Sequence, residues 1–333
     1  MGYFYVQKIF HIKERVKYIK RTKKLIVKIY SSISEFKTNK RIVATLGTFD
    51  GVHVGHQMIL KKLTDAAKQM NAESLVLTFF PHPRMVLKQD HGIQLLNTLD
   101  EKKELLEQLG LDNLVIQKFD MDFANLTAEE FVKKVLVDTF NISKIIIGYD
   151  HRFGKNRTAD INDLKNFGNQ YGFEVEEISA QEIDHVSISS TKIRTALEEG
   201  NIKKANEFLG HNYFFSGIVV HGKKLGKKLG FPTANIKIAE TYKLIPKNGI
   251  YIVESELDGQ KVKGMMSIGI NPTFEGHPYS IEVNYLDWEG DLYGKTIKVS
   301  ILDRIREEMK FENLEDLVSR LKQDEVITRK YFS

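Results

Sequence analysis

The chain has 333 residues, 42% hydrophobic and 28% charged, with no cysteine and a formal net charge of +5. This is an ordinary globular composition with room for about two domains. Disulfides and thiolate metal sites are excluded, a reducing compartment such as the cytoplasm is expected, and no apolar run approaches the roughly 20 residues that cross a bilayer, which argues against a membrane transporter.

Charge is unevenly placed. Residues 1–46 carry 12 basic against two acidic side chains, so the basic character belongs to the N-terminal end. Residues 1–24 read as a basic extension without the charged-then-apolar order of a signal peptide. A solvated arm is the plain reading, and nucleic-acid or anionic-membrane binding is the sharper alternative. From 25 to 190, "KLIVKIY", "RIVATLG", "ESLVLTFF", "NLVIQKF" and "KIIIGYD" predict strands. They are nearly continuous apolar runs, as in strands buried on both faces. Helical patterns fall between them. "HQMILKKLTDAAKQM" is one, "TAEEFVKKVLVDTF" another. In "TLDEKKELLEQLG", Thr98 and Glu101 make a capping box and Gly110 a C-cap. The alternation predicts an α/β domain with a doubly wound parallel sheet.

Residues 191–210 read as a helical linker, two short helices broken at Gly200. From 211 to 333, "YFFSGIVVHG", "NGIYIVESELDGQKVKGMMSIG", "YSIEVNYLD" and "KTIKVSIL" read as antiparallel strands, with Asp258-Gly259 as a hairpin turn. A small antiparallel barrel or sandwich is expected, closed by a C-terminal helix. Asn313 would cap that helix, and Leu314, Leu317, Val318 and Leu321 would form its buried stripe.

The stretch "GTFDGVHVGHQ" (47–57) lies between a strand and a helix. In an open α/β sheet, ligands bind beyond the carboxyl ends of the strands. A helix N-terminus there offers N–H groups and partial positive charge to a phosphate. Gly47, Gly51 and Gly55 allow close backbone approach. His53 and His56, three apart, can face one group. A tight turn with incidental histidines is the plain alternative. A metal site would need a third ligand, and none is apparent. Downstream, "GYDHRFG" ends a strand with Asp150 placed to bond a ligand or support the site. Ser189, Ser190 and Thr191 open a helix with Arg194 one turn in, a fitting phosphate receptor, although Ser-Ser-Thr alone is more often an N-cap.

The H-x-G-H element, with "TFFPHP" (78–83), "GYDHRFGKNRTAD" (148–160) and "ISSTKIR" (188–194), resembles the FMN adenylyltransferase module of bacterial bifunctional FAD synthetases. The resemblance implies a nucleotidylyltransferase fold and the reaction of FMN with ATP to give FAD and pyrophosphate. It gives His53, His56 and Arg194 catalytic roles. Gly47, Phe49, Asp50, Gly51, Gly55, Asp150, Ser189, Ser190 and Thr191 would bind nucleotide. His151 and Ala159 stand where the pattern has Phe and Gly.

In "HGKKLGKKLGFPTANI" (221–236), glycines and lysines precede Thr233 and Asn235. Backbone N–H groups can face phosphates there, and Thr and Asn oxygens can ligate a hard cation. A basic surface loop is the plain reading. "GKKLGFPTAN", "NGIYIV", "SIGINPTF", "IEVNYLD" and "YGKTIKVSILDRIREEMKF" follow one another as in riboflavin kinases. That likeness implies riboflavin and ATP as substrates, and magnesium with ATP at Thr233 and Asn235. Gly222, Lys223, Gly226, Lys227, Gly230, Phe231 and Pro232 would bind nucleotide. Glu282 would act as base, and Arg306 and Phe311 would contact flavin. Lys227 replaces a usual Arg, and Asn284 a frequent His. FMN and FAD would be substrate and product, not prosthetic groups. Two rivals stand beside this reading: an enzyme with one active half, and a nucleotide-dependent nucleic-acid binder. The lysine loop lacks interleaved aromatics, so a nucleic-acid partner is not expected. No membrane partner is expected, and oligomeric state is not legible.

Overall fold

The computed structural model describes residues 27–87, 92–148, 151–179, 188–222, 225–270 and 279–333. The basic arm, Asp150 and Lys223 lie outside these. The first domain is a six-stranded parallel sheet in the order β1-β4-β3-β2-β5-β6. Its strands are β1 Lys28–Tyr30, β2 Ile42–Leu46, β3 Glu73–Phe80, β4 Asn113–Lys118, β5 Ile142–Gly148 and β6 Glu174–Ile178. Central β2 is buried at every residue, and β3 at Leu75, Val76 and Leu77 on both faces. A continuous apolar run therefore reads correctly as a strand between two helical layers. β6 is a partly exposed edge strand with three glutamates in five residues, so its apolar signal is weak.

The helices are α1 Val54–Gln69, α2 Leu99–Gln108, α3 Ala128–Glu130 continuing as a π-helix over Phe131–Val137, and α4 Ile161–Tyr171. The Thr98–Glu101 capping box on α2 is present. Its C-cap is Leu109 rather than Gly110, which follows at φ 74°. Moving along the chain, β2, β3 and β4 add in one direction, and β5 then returns to the other side of β2. The crevice at the carboxyl ends of β2 and β5 is thus the topological switch point, where such sheets take ligands. Residues 47–53 leave β2 at that point and turn into α1.

Helices α5 Ser190–Glu198 and α6 Ile202–Leu209 follow, broken at Gly200 with φ 80°. Their Ile193, Leu197, Ile202 and Leu209 join the core of the second domain, so this segment is a packed part of the molecule. The second domain is a closed antiparallel barrel ordered β10-β11-β8-β7-β12-β9, which resolves the choice between barrel and sandwich. Its strands are β7 Tyr213–Val220, β8 Ala234–Lys237, β9 Gly249–Leu257, β10 Gln260–Ile270, β11 Tyr279–Tyr285 and β12 Thr296–Arg306. Asp258 and Gly259 take φ 51° and 79°, both positive as a type I′ hairpin requires.

Helix α7, Leu314–Tyr331, is capped by Asn313, whose side chain accepts from Asp316 N–H. Its packing follows the expected stripe in part. Leu314 is 65% exposed, and the buried positions are Asp324 and Thr328. Asp324 receives Arg306 through Nε at 3.0 Å and Nη2 at 2.7 Å, and Arg320 stands 3.3 Å away. Leu317, Val318 and Leu321 of the expected stripe are half-buried, and the buried carboxylate anchors the helix beside them.

Candidate functional site

The 47–57 loop is conformationally demanding. Phe49 (φ 47°), Gly51 (φ 85°) and Val52 (φ 41°) all lie in the left-handed region. For a bulky or β-branched residue this costs roughly 1–3 kcal/mol, and it persists where surrounding structure imposes it. Gly51 alone of the three glycines supplies positive φ. Gly47 and Gly55 matter for space: an added Cβ would meet Phe49 at 3.2 Å and His53 at 3.3 Å.

Asp50 is the knot of this site. It is 1% exposed. Its Oδ1 accepts the Leu96 N–H at 2.9 Å, and its Oδ2 accepts Arg194 Nη2 at 2.5 Å. Ser190 Oγ donates to the Asp50 carbonyl at 2.9 Å. Two motifs far apart in sequence are therefore joined at one residue. The sequence reading gave Asp50 and Ser190 to the nucleotide and Arg194 to catalysis. In the structure the Asp50 carboxylate and the Ser190 hydroxyl are turned to this network. Arg194 also donates Nε to the Gln94 carbonyl at 2.8 Å. Ser189 is the N-cap of α5, accepting from Lys192 N–H, and Thr191 is exposed at its start.

His53 is the N-cap of α1, and His56 lies in its first turn. Their rings stack at 3.7 Å between centroids, 17° from parallel. Burial lowers His53 from the ordinary 6.5 to about 4. Burial, with lesser contributions from His53 and Lys102, pushes His56 well below its usual value. Both imidazoles are neutral at pH 7 in this structure, so each offers one N–H and one acceptor. Among the described residues no group of three or more His, Asp or Glu is placed to hold a metal ion.

Sequence reasoning missed Lys102. It is 5% exposed, and its ammonium donates to the Thr48 carbonyl at 2.7 Å beside the loop. Burial lowers its pKa, opposed by Asp50. The signal was available: Glu101 and Lys102 share the buried face of α2 with Leu105 and Leu106. A charged pair on an apolar helical face is rarely solvated. The substituted loop is well packed. Phe153 and Ala159 exchange backbone hydrogen bonds at 3.1 and 3.2 Å, and Ala159 is buried.

In the barrel, Glu282 on β11 is paired directly with Asn235 on β8. Ile281, Val283 and Ile236 point into the barrel core. With a period of two, Glu282 and Asn235 therefore share its outer face. Thr233 Oγ1 donates to Glu282 Oε2 at 3.0 Å. Asn284 Nδ2 donates to the Pro232 carbonyl at 2.7 Å, so Asn284 seats the loop where a frequent His was expected. A Cβ on Gly222 would lie 2.3 Å from Asn235 Nδ2, and one on Gly226 2.3 Å from the Phe231 carbonyl. These glycines allow the incoming loop to close on the Thr-Asn pair. Lys227 lies on the short turn Leu225–Lys228, Gly230 follows at φ 83°, and Phe231 is buried. The Arg306 guanidinium is engaged by Asp324 and the Glu307 carbonyl, so it anchors the C-terminal helix to the barrel. Phe311 is half-buried, its ring 6.0 Å from the Arg306 guanidinium carbon.

A parallel sheet with a histidine-bearing helix start at its switch point, joined to a barrel presenting Thr, Asn and Glu on one face, defines a two-domain nucleotide-handling transferase. Residues 35–192 match the family described as FAD synthetase, and residues 209–332 match riboflavin kinase. The chain is 38% identical to a bifunctional riboflavin kinase/FMN adenylyltransferase of Listeria monocytogenes, across 87% of this chain and 92% of that one. An Escherichia coli protein of the same name is 37% identical over the same shares. The chain belongs to the bifunctional riboflavin kinase/FMN adenylyltransferase family.

A crystal structure from Streptococcus pneumoniae named as a macrolide-efflux protein has the same fold. Its TM-score is 0.83 at 35% identity, covering 91% of this chain and 99% of that one. A shared fold does not transfer an activity. Among the described residues no helix is long and apolar enough to cross a membrane.

Proposed function

We propose that this chain makes flavin cofactors in two steps. The barrel phosphorylates riboflavin with ATP to give FMN and ADP. The parallel-sheet domain then joins FMN to ATP, giving FAD and pyrophosphate. The observation that carries the assignment of the first domain's site is the meeting of the 47–57 loop with Ser190 and Arg194 at Asp50, at the switch point of the sheet.

In the adenylyl transfer, an FMN phosphate oxygen attacks the α-phosphorus of ATP and pyrophosphate leaves. Catalysis of this kind is positioning and charge stabilisation. His53 and His56, as neutral N–H donors at the N-terminus of α1, are aimed at the oxygens where charge builds. Asp50 fixes the side of Arg194 that faces the protein, leaving its other edge for the phosphates. Lys102 adds positive charge behind Thr48.

In the phosphoryl transfer, Glu282 takes the proton of the ribityl 5′-hydroxyl as its oxygen attacks the γ-phosphorus. Its carboxylate already accepts a hydrogen bond from Thr233, which aims it at the glycine loop. Thr233 and Asn235 supply hard oxygen donors beside that carboxylate and would hold a magnesium ion that accompanies ATP. When bound, the ion neutralises phosphate charge. One assay tests the reading: riboflavin, ATP and Mg²⁺ are supplied and the flavins separated. FMN and FAD are both expected. FMN alone would mean a silent first domain, and neither product would overturn the proposal.

A further inference from the structure

The Glu101–Lys243 pair belongs to neither site, yet it is the most deeply buried ion pair among the described residues, with side chains 2% and 0% exposed. Lys243 comes from the barrel, in the connection between β8 and β9. Its ammonium nevertheless lies against the first domain. It donates to the Leu96 carbonyl at 2.6 Å, Glu101 Oε2 at 2.7 Å and the Phe214 carbonyl at 2.8 Å. All three donors are engaged. Glu101 is equally occupied: Oε2 accepts from Thr98 N–H, and Oε1 from Ser216 N–H across the domain boundary at 2.9 Å.

Two buried charges cost several kcal/mol each unless geometry and further hydrogen bonds compensate. A surface pair would hold two domains together without that cost. What the buried pair adds is the placement of Leu96. The Leu95 N–H donates to the Tyr242 carbonyl at 2.7 Å, and Leu244 N–H donates to the Leu95 carbonyl at 2.9 Å. Lys243 then fixes the carbonyl of Leu96, whose own N–H binds Asp50 Oδ1. A Cβ on Gly51 would lie 2.6 Å from Leu96 Cδ1, so the strained loop sits directly on this side chain. The order of contacts is Lys243, Leu96, Asp50, Arg194.

We propose that Lys243, a residue of the kinase barrel, is a positioning residue for the adenylyltransferase reaction, acting through Leu96 on the Asp50–Arg194 contact and the seat of the 47–57 loop. This rests on the reading of that loop as the adenylyl-transfer site. A misplacement of about 1 Å in such a site costs on the order of a hundredfold in rate.

The test uses the full chain carrying Lys243→Met, and separately Glu101→Gln, which keeps the side-chain volume and an acceptor for Ser216. Each variant is assayed for FMN formation from riboflavin and for FAD formation from supplied FMN. The expected result is a fall of about tenfold to a hundredfold in kcat for FAD formation, with a smaller change in KM for FMN. Riboflavin phosphorylation should stay within about twofold, which reports that the barrel carrying the substitution is folded. An unchanged kcat for FAD formation in Lys243→Met overturns the proposal. So does an equal loss of both activities in both variants, which reduces the pair to a structural role. A wild-type chain that makes FMN but no FAD would instead overturn the reading of the loop, and the positioning role with it.

Discussion

His53 should make the protein sensitive to mild acid. Burial holds its pKa at about 4, against 6.5 for an ordinary histidine. Between these values an unfolded chain binds a proton that the folded chain refuses. The contribution is therefore intact above about pH 6.5 and is lost as pH falls towards 4, where it levels off. Each pKa unit is worth about 1.4 kcal/mol, so lowering the pH from 7.5 to 5 removes about 2 kcal/mol at His53 alone. His56, lowered by burial in the same direction, adds to it. The measurement is urea unfolding, followed by circular dichroism, of wild type and His53→Gln at pH 7.5 and pH 5. The variant loses the N-cap and starts lower by about 1 kcal/mol at pH 7.5. That offset is separate from the slope, and the variant should lose about 2 kcal/mol less on acidification. Equal pH dependence of the two proteins would refute the reasoning. So would a His53 ring resonance titrating near 6.5 in the folded protein.

His53→Ala should lower FAD formation from FMN by about 10²–10³-fold, the usual effect of removing one donor to developing charge, and leave riboflavin phosphorylation intact. Glu282→Ala should do the reverse: FMN formation stops, and supplied FMN is still converted to FAD. If both activities of either folded variant fail together, the division of labour is wrong. Asp324→Asn leaves Arg306 without its carboxylate and should cost about 3–5 kcal/mol, read as a lower unfolding midpoint of the barrel. A midpoint equal to that of wild type would show that the pair does not anchor α7.

The fold was legible where pattern and burial agree. β3 coincides with "ESLVLTFF" because the buried middle of a central parallel strand is a nearly continuous apolar run. The hairpin at Asp258-Gly259 was legible because two consecutive positive φ values demand such a dipeptide. β6 was not, since an edge strand with glutamate at three of its five positions carries little apolar signal. β8 lay hidden within the glycine loop, because its four residues owe their strand form to β7 and β11 on either side. Helix α7 and its Asn313 cap were legible, but its fully buried positions were not. Its leucine stripe is ordinary amphipathic patterning, but the barrel offers it Arg306, and a carboxylate answers a guanidinium better than an aliphatic group does. The site was legible as a set of residue types and not as a set of contacts. Nothing in "GTFDG" says that its aspartate turns inward to Leu96 and Arg194. Lys243 was invisible because a lone lysine is solvated far more often than buried, whereas Lys102 was marked only by sharing a helical face with Leu105 and Leu106.

The two sites differ in what holds them. Thr233 and Glu282 hydrogen-bond each other, Asn235 is paired in register with Glu282, and Asn284 holds Pro232. Each of these residues belongs to the barrel. The first site is held from both sides. Asp50 is fixed by Leu96, Leu96 by Lys243, and the helix that presents His53 is tied through Gln57 Nε2 to the Leu209 carbonyl at 2.8 Å. Lys298 of the barrel also reaches Glu104 on α2 at 2.6 Å. The dependence therefore runs one way. Loosening the interface should disturb the step that consumes FMN before the step that makes it. A chain damaged at this boundary would accumulate FMN, while one damaged in the barrel's own loop would make neither product from riboflavin.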